Sequence, residues 1–344
     1  MPGAQINPLL IQQLTDKEIT EIQKFPTLSS LPGKYARLIN RQKENIPKHF
    51  EENSFMLTCK SCGRKGKYDV GLMVVNVDRE EDGEGTEYPI QTTGYFRCKH
   101  CNDAGNWEMP SQFIIASMAG ILAKGSFGME NRCTVGKNLL YDGSWHLFSS
   151  DAELHLLHQL KEDPDNSFVW NRLGNLYDKG NRPEIAACVY EYSVVIDPGQ
   201  IESHYTLGQY FFQIKDLERA AHHYKQMLLG ASEYQLLAAE DLRQMVASGL
   251  ANLFDVFQES NGNIPFLPTK EELESAGKLK EMEKYVVDMK VDIVEGELES
   301  FYPFAEIYMG AQSKKLPNRL RTLKVPKPAT KKKKKWKKRK KKQR

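Results

Sequence analysis

From about Asp151 to about Ser260, apolar residues recur at spacings of three and four, and this period predicts a run of helices. The segment IPFLP (Ile264–Pro268) breaks the pattern. TKEE at Thr269–Glu272 then has the form of a capping box. Leu273, Ala276, Leu279, Met282, Val286, Met289 and Ile293 follow it as one apolar stripe, which predicts a further helix. The first 50 residues predict two short helices, with TDKE at Thr15–Glu18 as a second capping box. YDVGLMVVNV (Tyr68–Val77) and TTGYF (Thr92–Phe96) have strand composition. Residues 110–124 read as a buried helix with Ser111 as its N-cap. Asn138–Phe148 holds an Asp-Gly turn between apolar runs, which is a hairpin signal.

The helical stretch repeats itself. Leu173 and Leu207, Gly174 and Gly208, Tyr177 and Phe211, Ala186 and Ala220, and Tyr190 and Tyr224 are each 34 residues apart. The first copy reads Trp170-x-x-Leu173-Gly174-x-x-Tyr177, then Ala186-x-x-x-Tyr190, then Pro198. Small residues at Gly174 and Ala186 let two helices approach, large ones at Tyr177 and Tyr190 fill the space beside them, and Pro198 stops the second helix. Over residues 167–234 this pattern resembles the tetratricopeptide repeat, in two copies. The second copy departs at His204, in register with Trp170, and at Ser232, in register with Pro198. Asp151 to Pro164 reads as half of a preceding repeat, with Ala152 and Leu156 where its second helix needs them. Tyr234–Gln258 has Leu242 where the in-register Gly belongs, and fits a degenerate third repeat or a capping helix. Two repeats alone would leave apolar flanks exposed, so flanking helices are required. The resemblance implies a mainly α helical solenoid whose groove binds a protein or peptide. By register, the groove residues are Asn171, Asn175 and Asp178 from the first copy and Tyr205, Gln209 and Phe212 from the second. Asn171 stands where a carboxylate-clamping subset of the family has Lys, so no such clamp is expected.

Four of the six cysteines form two C-x-x-C pairs, Cys59/Cys62 and Cys98/Cys101, with 35 residues between them. Two such knuckles can place four thiolates tetrahedrally around Zn²⁺ at roughly 2.3 Å each. The knuckle–strand–knuckle order resembles a zinc ribbon, its length swollen by the acidic stretch Asp78–Glu87. Four protein ligands would close the site, which makes the zinc structural. A thiol–disulfide pair is the rival, but it requires one C-x-x-C in a βαβ setting. His100 lies inside the second knuckle, and Cys133 and Cys188 lack a partner pattern. Lys60, Arg64, Lys65, Lys67, Arg97 and Lys99 surround the knuckles, with Tyr95, Phe96 and Trp107 nearby. Such a set suits phosphates and stacked bases, or else the aromatics form the module's own core and the cations are only solvated.

Charge changes the picture at the C-terminus. The formal net charge of +3 hides a split: residues 314–344 carry 18 Lys and Arg and no acid, leaving 30 basic against 45 acidic residues in 1–313. The segment Lys331, Lys332, Lys333, Lys334, Lys335, Trp336, Lys337, Lys338, Arg339, Lys340 is the densest part. Its composition predicts disorder when free. It suits sequence-independent contact with RNA or DNA, ribosomal RNA included, with Trp336 stacking on a base. A nuclear or nucleolar address, an anionic membrane surface and docking on the acidic body compete with that assignment. No secretory signal pattern is seen, and Phe113–Ala123 is too short for a span of roughly 20 residues, so a cytoplasmic location is expected. There is no Gly-rich phosphate loop, no G-x-S-x-G and no H-E-x-x-H, and no enzyme is expected.

The expected layout is a helical segment over 1–50, the four-cysteine module over 51–110, a connecting helix and hairpin over 111–150, repeats over 151–260, further helices over 261–313, and the basic tail over 314–344. The expected role is an adaptor that binds a protein through its groove and nucleic acid through its tail. The alternative is a pure interaction or chaperone-like scaffold whose tail is an address or a solubility element.

Overall fold

A computed structural model describes residues 5–76, 90–105, 107–122, 132–282, 293–294 and 296–323. The chain is mainly helical with two small sheets. In order it runs α1 (Pro8–Thr15), α2 (Tyr35–Arg41), β1 (Ser54–Cys59), β2 (Lys65–Asp69), β3 (Met73–Val75), β4 (Ile90–Thr92), β5 (Trp107–Glu108), α3 (Ser111–Leu122), β6 (Cys133–Val135), α4 (Ser149–Glu162), α5 (Ser167–Lys179), α6 (Pro183–Ile196), α7 (Ile201–Gln213), α8 (Leu217–Gly230), α9 (Ala239–Glu259), α10 (Lys270–Ser275), α11 (Leu279–Met282) and α12 (Tyr302–Tyr308). No helix among the described residues is long and apolar enough to cross a membrane.

The 34-residue register reappears in three dimensions. α5 packs on α6, and α7 packs on α8. A Cβ on Gly174 would run into the ring of Tyr190, and one on Gly208 would lie 2.6 Å from the ring of Tyr224. Each small residue is what lets its helix pair close. The turns agree as well. Asn181 and Lys215, 34 apart, both take left-handed backbone (φ 57° and 63°). The next amide in each, Arg182 N and Asp216 N, bonds back to Tyr177 O and Phe211 O at 2.9 Å. The same turn closes α9: Asn261 has φ 51°, and Gly262 N reaches Phe257 O at 2.9 Å. α9 is therefore related to α5 and α7 through its C-terminal end, where Leu173, Leu207 and Leu253 are equivalent and wholly buried. Its 21 residues displace the register by 12 from the 34-residue period. Leu242, which seemed to occupy a glycine position, instead lies in the added N-terminal turns and is buried.

The flanks of these pairs are covered, as the apolar surface demands. α1 packs on α4, α2 on α6, and α12 on α9. One continuous core runs from Ile6 to Leu316. A second, smaller core joins Leu57, Tyr68, Phe96, Trp107, Phe113 and Phe148 beneath the sheets. The first sheet has order β2-β1-β5 and is antiparallel, with Cys59 opposite Trp107. The second has order β4-β3-β6, with β6 parallel to β3.

Several local expectations are corrected. Thr15 ends α1 instead of capping a helix, its hydroxyl donating to Ile11 O at 2.6 Å, and Asn7 is the residue that caps α1. Asp16 turns left-handed there, so no helix can continue through TDKE. Thr269 does form the capping box, but the helix it opens stops at Ser275, because Gly277 has φ 68°. The stripe restarts at Leu279, and Val286 and Met289 lie outside the described residues. The helix from Ser111 is not buried all round: Phe113 is, whereas Ile115 is 64% exposed. Residues 314–323, assigned by composition to the tail, are held on the body. Leu316 is buried, and the Glu306 carboxylate accepts from Thr322 N at 2.9 Å and Leu323 N at 2.8 Å.

Candidate metal centre and helical groove

The two knuckles are built alike. Gly63 N donates to Cys59 O and Asn102 N to Cys98 O, both at 2.8 Å, and Gly63 and Asn102 are both left-handed (φ 71° and 58°). Asn is the side chain that tolerates this conformation best after Gly. Each chain then pairs back on its first cysteine: Cys59 N to Arg64 O at 3.0 Å, Cys98 N to Asp103 O at 2.8 Å. The result brings the sulfurs of Cys59, Cys62, Cys98 and Cys101 within 4.8 Å of one another. Cys59 Sγ and Cys101 Sγ are 3.7 Å apart, as are Cys62 Sγ and Cys98 Sγ. The six cysteines are free of disulfides, and the four-sulfur cluster could hold a metal ion. Burial raises the Cys98 thiol, but the amides of His100 and Cys101 outweigh it and bring its pKa to about 7. Burial pushes Cys101 up to about 12. His100 is exposed and outside the cluster. Cys133 and Cys188 are separate buried thiols.

The aromatics around the knuckles are core. Tyr68, Phe96 and Trp107 stack on one another at centroid distances of 4.7–5.5 Å and are at most 5% exposed. Tyr95 is also buried, so none of these rings offers a face to a base. Arg97, grouped by sequence with the surface cations, is buried and paired with Glu153 at 3.0 Å. Lys60, Arg64, Lys65, Lys67 and Lys99 remain exposed. Lys67 pairs with Glu52, and Lys99 donates to Lys67 O at 2.5 Å.

The residue that the sequence did not reveal is Glu153, on α4. It is wholly buried and accepts from Asn7 Nδ2 at 2.9 Å, Tyr95 Oη at 2.8 Å, Arg97 at 3.0 Å and the Tyr177 hydroxyl. These donors come from the N-cap of α1, the four-cysteine module and α5. One carboxylate thus fixes the four-cysteine module against the helices. Asn102 adds to this, donating to Ile6 O at 2.9 Å and Lys24 O at 2.7 Å. A Glu in a register otherwise apolar on α4 was the available signal.

The groove residues divide. Asn171 is buried and donates to Ser203 Oγ at 2.9 Å, so it joins α5 to α7 and lines no groove. Its amide fits there because Ser203, one helix across, supplies the matching hydroxyl. Asp178 is half-buried, accepts from the Tyr210 hydroxyl and pairs with His49 at 2.9 Å. That hydrogen bond raises the His49 pKa. Asn175 is half-buried and accepts from Tyr190 Oη at 2.6 Å. Tyr205, Gln209 and Phe212 share one face of α7 and are all half-buried. Gln209 Nε2 donates to Tyr205 Oη at 3.0 Å, and the Lys215 ammonium lies 4.9 Å from the Phe212 ring. Lys331–Lys335, Trp336, Lys337, Lys338, Arg339 and Lys340 lie outside the described residues, as does the acidic stretch 78–87. The remaining histidine pairs are engaged within the protein. His155 bonds Asp142 at 2.6 Å, and His204 and His223 bond each other at 2.9 Å in the core.

No protein-family profile matches the chain, and no curated protein matches it either.

Proposed function

We propose that the protein is an interaction adaptor of the tetratricopeptide type, stapled by a structural zinc ion and carrying a basic tail that contacts nucleic acid, RNA above all, without sequence preference. The observation that carries the groove assignment is the repeated packing of Gly174 on Tyr190 and Gly208 on Tyr224, with identical turns after α5, α7 and α9. Helices repeated in this way make an extended face, and such faces bind chains. On α7 that face presents Tyr205, Gln209 and Phe212, two rings and an amide, which suit an extended or helical peptide.

Zinc fits the cysteines. Sulfurs about 2.3 Å from a tetrahedral ion lie about 3.8 Å from each other. The two sulfur pairs at 3.7 Å match that spacing. Four thiolates leave no open position for a water, so the ion's role is to hold the two knuckles together beside the module's small aromatic core. The proposal assigns no catalysis.

One observation favours the scaffold alternative for the ribbon itself. Its aromatics are buried, so it has no stacking platform, and only the tail is assigned to nucleic acid. The groove is tested with an array of random peptides probed by the full chain and by the Tyr205→Ala and Phe212→Ala variants. Peptides that bind the parent and lose affinity in both variants support the groove. Binding that neither variant changes removes α7 from it.

A further inference from the structure

A cavity of about 260 Å³ opens between the hairpin over residues 138–148, the start of α4 and the outer face of α5. Arg172, Asn175, Leu176 and Lys179 form one wall, at successive turns of α5. Asn138, Leu139, Leu140 and His146 form the facing wall, and Phe148 lies at the base. No Asp or Glu lines it.

Its charges can be assigned one by one. Arg172 is paired with Glu202, and its guanidinium lies 4.4 Å from the Phe168 ring. Glu202 also accepts from the Tyr234 hydroxyl at 2.5 Å. Asp142, the acid nearest on the hairpin, is held by His155 at 2.6 Å and Gln159 at 3.0 Å. Burial lowers the His146 pKa, so near neutral pH its imidazole is uncharged. Lys179 has no ion-pair partner among the described residues. One cation without an ion-pair partner among the described residues therefore lines a space whose other walls are the paired Arg172, the His146 imidazole, side-chain amides and hydroxyls, and apolar carbons. The hairpin is pinned over this part of α5: Tyr141 Oη donates to Gln159 at 2.6 Å, and Gln91 bonds Asn138 O and His146 O at 2.7 and 2.8 Å.

We infer that this cavity binds a small organic monocarboxylate, with its carboxylate at Lys179 and the Asn175 and Asn138 amides and its apolar body against Leu176, Leu140 and Phe148. One unmatched positive charge suits a monoanion better than a phosphomonoester, which carries close to two charges at neutral pH. The volume is just below the usual range for ligand pockets, which suits a body of one ring or a short alkyl chain. The site adjoins the expected groove at Asn175 but includes none of its α7 residues Tyr205, Gln209 and Phe212, and its test uses no partner protein.

The test is titration of the full chain, at constant ionic strength, with phenylacetate and hexanoate, each beside its neutral amide, and with inorganic phosphate. Binding is read by calorimetry. The expected result is that at least one acid binds about tenfold or more tightly than its amide and than phosphate. Lys179→Glu, at an exposed position that leaves the fold intact, should remove that preference, and Lys179→Arg should retain it. Lys215→Glu, a charge reversal in the turn after α7, should have no effect on that preference. Acid and amide binding equally, phosphate binding best, no binding by any of the five, or a Lys179→Glu variant that still prefers the acid would each overturn the assignment.

Discussion

At the residue scale, two carboxylates in α4 have opposite consequences. Glu153 is enclosed by four donors, and replacing it with Ala would strand Arg97 and two tyrosine hydroxyls in the interior. Breaking a buried pair by removing one partner costs about 3–5 kcal/mol. Glu153→Ala is expected to lose stability in that range by denaturant unfolding, with Glu153→Gln retaining part of it through the hydrogen bonds that an amide oxygen can still accept. Asp151 has only a backbone hydrogen bond at Phe148 for company. Burial raises its pKa to about 6 against an ordinary 3.8. The folded state therefore holds its proton more tightly than the unfolded chain. Its contribution is fully present below pH 3.8 and is lost as pH rises through about 6, so at pH 7–8 the ionised group is a liability. Asp151→Asn is expected to stabilise the protein at pH 8, with the gain shrinking as pH falls from about 7 to about 4. A gain that stays constant between pH 8 and pH 4 would contradict the burial argument.

At the scale of elements, the four-cysteine module is fastened to the helices through Glu153, Asn102 and the Tyr95 N to Gly180 O bond of 3.2 Å. Removing the ion should therefore be felt beyond the knuckles. A strong chelator is expected to release one Zn²⁺ per chain by metal analysis, to expose four thiols, and to lower the melting temperature of the helical signal. Cys98→Ser should do the same without chelator, whereas Cys188→Ser, a buried thiol apart from the cluster, should retain the ion. Release of metal with an unchanged helical melt would show that the module and the helices are energetically separate. Much of this level was legible in the sequence. The helices followed from apolar period, the repeat from Gly174, Gly208 and their tyrosines, and the cysteine cluster from C-x-x-C spacing. What was not legible depends on contacts distant along the chain. Asn171 reads as a surface amide until Ser203 is placed beside it, Arg97 as one more surface cation until Glu153 appears, and Phe96 and Trp107 as candidate stacking rings until Tyr68 packs with them. The added turns of α9 shifted its register, so the comparison matched Leu242 to the glycine position, because a fixed period cannot absorb an insertion within a helix.

For the whole molecule, the decisive question is where the body ends and the basic tail begins. Composition alone put the boundary at Lys314, but Glu306 takes the backbone of Thr322 and Leu323, and Arg243 both pairs with Glu306 at 3.3 Å and donates to Leu320 O. A truncation at 313 would remove Leu316 from the core and leave Glu306 without those donors, so any loss of binding it caused would mix unfolding with loss of charge. The informative truncation keeps residues 1–323. It removes 14 of the 48 basic residues and no acid, leaving 34 against 45, a net charge of −11. Such a body repels polyanions at long range, and the cations exposed on the knuckles are too few to reverse that. The full chain is expected to bind single-stranded RNA and duplex DNA with a log–log salt slope of about −0.7 to −0.9 per phosphate neutralised. The 1–323 chain is expected to lose that binding at physiological salt while keeping its melting temperature. Retention of a steep salt slope by 1–323 would place a nucleic-acid contact on the body, with the exposed lysines of the knuckles as the first residues to reverse. If the full chain binds neither polymer, the tail has another partner, and the adaptor proposal reduces to its groove.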